Sequence, residues 1–177
     1  MFGILNFEQI ASAFIVLFAI IDITGSIPII ISLRERGREI KPIKATIWST
    51  IVLLGFFHGG NFLLKLFHVD IASFAIAGAV IIFLMSLEMI LDIDIFQNRS
   101  PSKSATIFPL VFPLIAGAGT FTTLLSLRAE YASLNIQIAL LLNMVLVYIV
   151  LRSTEYIQRL LGKGGIYMLR KFFGIIL

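Results

Sequence analysis

The sequence predicts an all-α, polytopic membrane protein: six transmembrane helices in a three-plus-three inverted repeat, with helices one and four broken near the midplane. Three observations carry this. First, hydrophobic residues make up 59% of the 177 and charged residues only 14%, where soluble domains run at roughly 45–50% and about 25%; mean hydropathy is +1.02. Second, six apolar stretches recur along the chain, five of them at or above the spanning length of about 20 residues. Third, proline and glycine interrupt two of them at corresponding places in the two halves. Such a composition excludes a soluble enzyme, a disordered chain and a fibrous protein. The net charge of +4 is therefore read by placement, and it implies no nucleic-acid partner. With no cysteine, the chain has no disulfide, thiol redox or cysteine-based metal chemistry.

The first stretch runs from about Phe7 to Leu33, and no Lys or Arg precedes Arg34. Without a basic leader region it is expected to stay as a span and not to be cleaved. The second is Ile43 to Phe67, the third Ile71 to Leu91, the fourth Ala105 to Leu127, the fifth Leu134 to about Ile157. The last, Ile166 to Leu177, is short for a span, so the natural chain is expected to continue or to have been trimmed. Residues 1–177 then form one membrane domain, with 1–95 as the first three-helix repeat and 104–177 as the second, its last helix incomplete.

Basic residues set the orientation. The odd-numbered connections hold Arg34, Arg36, Arg38, Lys41 and Lys44, then Arg99 and Lys103, then Arg152, Arg159 and Lys163; the even-numbered ones hold only Lys65 and Arg128. By the positive-inside rule the odd connections are cytoplasmic and both termini lie outside.

The first span is interrupted at Asp22-Ile23-Thr24-Gly25-Ser26-Ile27-Pro28, and the fourth at Pro109, Pro113 and Ala116-Gly117-Ala118-Gly119-Thr120. Proline removes a backbone donor and glycine is a poor helix former. Backbone freed at membrane depth must be buried in protein or line a wet cavity. Gly25 and Gly117, and Gly78 and Gly174, recur at similar separations. Three spans per copy place the second copy upside down, and paired interrupted helices point to the binding site of such a repeat. The second span carries Gly55-Phe56-Phe57-His58-Gly59, a small-xxx-small pattern expected to pack helices closely.

Catalytic patterns are missing. His58 and His68 lack metal-ligand spacing, and His58 is expected to be a hydrogen-bonded packing residue. Asp92 and Asp94 read as a solvated helix end. Among acids within spans, which are costly and often functional, Asp22 is the most central; Glu88 and Glu155 lie nearer the ends. Asp22 has two readings, a coupling group and a local helix-end acceptor for the amides of Thr24 or Gly25.

Three motifs, in order along the chain, carry a family resemblance. Asp22–Pro28 resembles the D-P-x-G-N-x-P signature of the MarC family of bacterial integral membrane proteins. Pro113–Thr120 is similar to its P-L-x-A-G-P-G block. Ile76-Ala77-Gly78 with Phe83-Leu84 and Glu88-Met89 resembles its third-span pattern. Ile23, Ser26, Ala118 and Glu88 stand where the family has Pro, Asn, Pro and Asp. The resemblance implies a multi-pass protein of the bacterial inner membrane, and a secondary transporter of small neutral amino acids such as alanine or glycine, with export as one direction.

The broken helices suit that cargo. Ser26 and Thr120 are expected to cap the second halves of spans one and four, whose N-termini offer free N–H donors and partial positive charge to a carboxylate. Free carbonyls ending the first halves would favour an ammonium, a proton carrier or Na⁺. The expected substrate site is therefore Thr24, Gly25, Ser26, Gly117, Gly119, Thr120 and Thr123, with Asp22 as the coupling candidate. No metal, cofactor or catalytic residue is expected beyond a coupling proton or sodium ion; the partners are the amino acid and membrane lipid. An intramembrane enzyme, a channel and a non-transporting scaffold are the alternatives.

Overall fold

The structure is a computed structural model describing residues 5–35, 37–66, 68, 70–91, 93 and 106–176. Its elements are all helical: α1 (Phe7–Ile21), α2 (Ile27–Glu35), α3 (Pro42–Leu66), α4 (Ile71–Leu91), a π-helical segment (Thr106–Ile115), α5 (Ala118–Glu130) and α6 (Ser133–Ile176). Asp92, Asp94, Arg99 and Lys103 lie outside the described residues.

Asn6 begins α1 by accepting from the amides of Glu8 (2.9 Å) and Gln9 (3.2 Å), which satisfies two of the donors every helix start leaves open. Ala13, Leu17 and Ile21, four residues apart, form its buried stripe. That stripe packs on α6 in a parallel register. The Asn6 amide meets Asn135 Oδ1, and Asn143 Nδ2 donates to the Phe14 carbonyl at 3.1 Å, both pairs 129 residues apart. Further along, Arg34 of α2 meets Glu155 of α6 at 2.8 Å. α1 and α2 are thus two pieces of one rod running beside α6, as the sequence expects of an interrupted span.

α6 is not straight. Gly162 has φ 61 and ψ 178, a region open essentially to glycine alone. Glu155 lies beside Arg34, whereas Phe173, eighteen residues on, packs with Ile29. A continuous helix would separate residues 155 and 173 by about 27 Å, so the chain turns back at Gly162. The expected fifth connection is condensed to that glycine. After the turn, Lys171 donates to the Ile90 carbonyl at the end of α4.

The face of α3 that packs inward is Ala45, Ser49, Leu53 and Phe57, all buried and one turn apart. This corrects the role expected of Gly55 and Gly59. Each lies two residues past a buried position, about 200° round the helix, and a Cβ built on either meets nothing within 4 Å. His58 is off the same face and exposed, its ring edge-on to Phe57, in place of the hydrogen-bonded packing role expected. The close approach occurs instead at Gly78 of α4, where a Cβ would lie 2.5 Å from that of Ala118 in α5.

Large apolar side chains point outward on every long helix: Phe7 is 83% exposed, Phe62 69%, Ile76 66% and Leu160 76%. A surface so apolar matches hydrocarbon and not water. Among the described residues one stretch, Ser133–Gly162, is by itself long and apolar enough to cross a membrane, and Phe7–Ile21 is a shorter apolar helix.

Candidate functional site: two interrupted helices

The first break spans residues 22–26. α1 ends on Asp22, whose φ of 40 and ψ of 51 place it in the left-handed region, which Asp and Asn tolerate better than most residues. The Asp22 carboxylate turns back on its own loop: Oδ1 accepts from the Gly25 amide (3.0 Å) and the Thr24 hydroxyl (3.2 Å). The Ser26 amide donates to the Asp22 carbonyl at 3.1 Å and the Ile27 amide to that of Thr24 at 3.2 Å. Pro28, in the first turn of α2, has no N–H to satisfy. The leading donors of α2 are therefore largely consumed locally, and Asp22 occupies one position that a substrate carboxylate was expected to take.

The second break has a different chemistry. Pro109 and Pro113 remove two donors from the fourth stretch, and the helix loosens to π geometry over Thr106–Ile115. The Ala116 amide reaches back five residues to Val111 at 2.8 Å. α5 then begins from Gly117, which is extended (φ −93, ψ 175) and supplies no side-chain cap. The first amide of α5 with an intrachain acceptor is that of Phe121, bonded to the Gly117 carbonyl. Among the described residues the amides of Ala118, Gly119 and Thr120 have none. This open start of α5 is the anion-attracting end of the pair.

Ser26 and Thr120 do not cap the second halves, contrary to expectation. Their hydroxyls point backwards: Ser26 Oγ donates to the Asp22 carbonyl (3.0 Å) and Thr120 Oγ1 to that of Ile115 (3.0 Å). Both are buried. Thr120 thus satisfies a carbonyl that the interruption leaves without its helical partner, while Ser26 adds a second bond to the Asp22 carbonyl, which already accepts from the Ser26 amide, and those two carbonyls are less free for a cation than the sequence suggests. The two breaks use the same device at equivalent places.

The expected site residues divide by position. Thr24 and Gly119 are exposed; Gly25, Ser26, Gly117 and Thr120 are buried; Asp22 and Thr123 are intermediate. A Cβ on Gly119 would stand 3.5 Å from Ile20 Cγ2, so the end of α1 and the first turn of α5 touch, and the two breaks are neighbours. Gly117 is closely packed: a Cβ there would meet the Pro113 carbonyl oxygen at 2.2 Å. Glu88 lies on α4. No group of three or more acids or histidines could hold a metal among the described residues.

Asn143 was not singled out in the sequence. It is buried and bonds the carbonyls of Phe14 and Ala139, tying the middle of α1 to α6 about two turns before the first break. Its signal was its solitude as a polar residue within the apolar run Ile138–Val147.

Fold and breaks together define an all-helical integral membrane protein built around two interrupted helices. The chain belongs to the MarC family of integral membrane proteins, whose family model matches residues 7–177. Curated relatives agree. The chain is 28% identical to a UPF0056 membrane protein of Methanocaldococcus jannaschii, covering 98% of this chain and 92% of that one. It is 30% identical to a UPF0056 membrane protein of Archaeoglobus fulgidus, over 94% and 85%. The inner membrane protein YhgN of Escherichia coli (strain K12) is 29% identical, over 96% and 90%. No solved structure matches the chain.

Proposed function

We propose that this protein is a secondary transporter of small neutral amino acids in the bacterial inner membrane. The proposed architecture is six spans in a three-plus-three inverted repeat with both termini outside, and the substrate lies between the breaks. One observation carries the reading: the uncapped start of α5, with three amides open, adjoins the end of α1, which terminates in the carboxylate of Asp22. Open amides suit a carboxylate and Asp22 suits an ammonium, so a zwitterion satisfies both. Coupling to a proton or Na⁺ belongs to the same reading.

Counterflow in proteoliposomes with labelled alanine, glycine and serine, with and without a pH gradient, tests this. Saturable exchange of alanine or glycine is expected. Conductance without saturation, or no exchange of any of the three, would remove the transport reading.

The proposed orientation has its own test. Because the chain lacks cysteine, Lys41→Cys and His68→Cys each introduce a single thiol at an exposed turn. An impermeant maleimide added to intact cells is expected to label position 68 and not position 41; the reverse pattern inverts the topology.

A further inference from the structure

At the end of the bundle where α2 stops and α6 approaches its turn, a cleft of about 460 Å³ is lined by Glu35, Glu155, Gln158, Arg159, Gly162 and Ile166. Beside it runs the ion pair between Arg34 Nη1 and Glu155 Oε1, 2.8 Å long, with the Arg34 side chain 15% exposed and that of Glu155 59%. We infer that this pair is a latch that closes the cytoplasmic side of the pathway by holding α2 against α6. The inference rests on the transport reading above, which supplies the pathway.

Three features support a latch over a static brace. α2 is only nine residues long, and left-handed residues flank it, Asp22 at φ 40 and Gly37 at φ 74. Element-terminal points such as Gly37 absorb backbone changes, whereas five hydrogen bonds cross-link residues 22–27 at the start of α2, so the part able to move is its last turn, which carries Arg34. Its companion α1 is held differently: Gln9 and Asn135, and Asn143 and Phe14, bond its first half to α6. Parting of the last turn of α2 from α6, with α1 held in place, is then the motion that the latch governs. Finally, an ion pair with one well-exposed partner is among the weaker polar ties in a protein, so it breaks and re-forms readily. Its partners come from opposite halves of the chain, 121 residues apart, which is what alternating closure of two repeats requires.

Ser32 reports on the latch, being buried on α2 two residues before Arg34. With Ser32→Cys as the sole thiol, maleimide labelling is followed in protein reconstituted into lipid nanodiscs, where reagent reaches both faces. Adding Glu155→Gln is expected to speed labelling about fivefold, at the upper end for losing a half-exposed pair. Reversing the pair, Arg34→Glu with Glu155→Arg, is expected to restore the parent rate. Leu53→Cys in the α3 core, buried, controls for general loosening and should stay protected. An unchanged rate with Glu155→Gln, a reversed pair as fast as Glu155→Gln, or equal acceleration at position 53 overturns the latch. Alanine counterflow on the same variants separates the two ideas. Accelerated labelling at position 32 with no counterflow in any variant leaves the closure standing and overturns transport; parent-like labelling with normal counterflow overturns the latch alone.

Discussion

Gly117→Ala is expected to destabilise the protein more than any other single methyl addition at the breaks. The new Cβ would meet the Pro113 carbonyl oxygen at 2.2 Å, and that atom is backbone within the same interrupted stretch, so it cannot swing aside as a side chain could. Overpacking of this kind costs about 3 kcal/mol at the upper end of its range, a fall in Tm of roughly 6–12 °C for a chain of this size. Gly119→Ala is the informative contrast. Its Cβ would make an ordinary 3.5 Å contact with Ile20, so the fold should hold, while a methyl group now shares the open first turn of α5 with the substrate. Alanine counterflow is expected to fall several-fold and glycine counterflow less. Thermal melting and counterflow measured on both variants check this. A Gly117→Ala protein melting with the parent would mean that Pro113 yields, and undiminished alanine exchange by Gly119→Ala would place the substrate elsewhere.

The second large effect concerns Asp22. Its Oδ1 accepts from the Gly25 amide and the Thr24 hydroxyl, and its backbone is left-handed. Asparagine keeps an Oδ1 acceptor and tolerates that conformation; alanine does neither and incurs about 1–2 kcal/mol of backbone cost. Asp22→Asn therefore removes the charge with the loop intact, whereas Asp22→Ala removes both. Asp22→Asn is expected to abolish gradient-driven uptake while melting near the parent temperature, and Asp22→Ala to lose uptake and stability together. Undiminished pH-driven uptake by Asp22→Asn would reduce Asp22 to an acceptor for its own loop.

How far the sequence could be read follows from the range of each signal. Both interruptions were legible because they are local: Pro28, Pro109 and Pro113 lack an N–H, and Gly25 and Gly117 stand where a side chain would run into the Asp22 carboxylate and the Pro113 carbonyl respectively. The outcome at Ser26 and Thr120 was not, since a hydroxyl beside a break can cap forwards or bond backwards, and the position of the Asp22 and Ile115 carbonyls in the folded chain decides it. The Gly55–Gly59 spacing misled for a related reason. A small-residue pattern says that one face of a helix can pack closely, and the Ala45–Ser49–Leu53–Phe57 stripe decides that α3 uses another. Arg34 and Glu155 offered no local clue to each other at a separation of 121 residues.

The parallel seating of α1 on α6 also bears on biogenesis. Phe14 cannot receive its bond from Asn143, nor Asn6 meet Asn135, until residues 129 positions later have been made. At about 5–20 residues per second the ribosome needs roughly 6–26 s to cover that distance. Throughout this interval the buried stripe of Ala13, Leu17 and Ile21 lacks its native neighbour. The nascent N-terminal helix must be held in the meantime by the insertion machinery or by lipid, and its final docking is a late event set by translation.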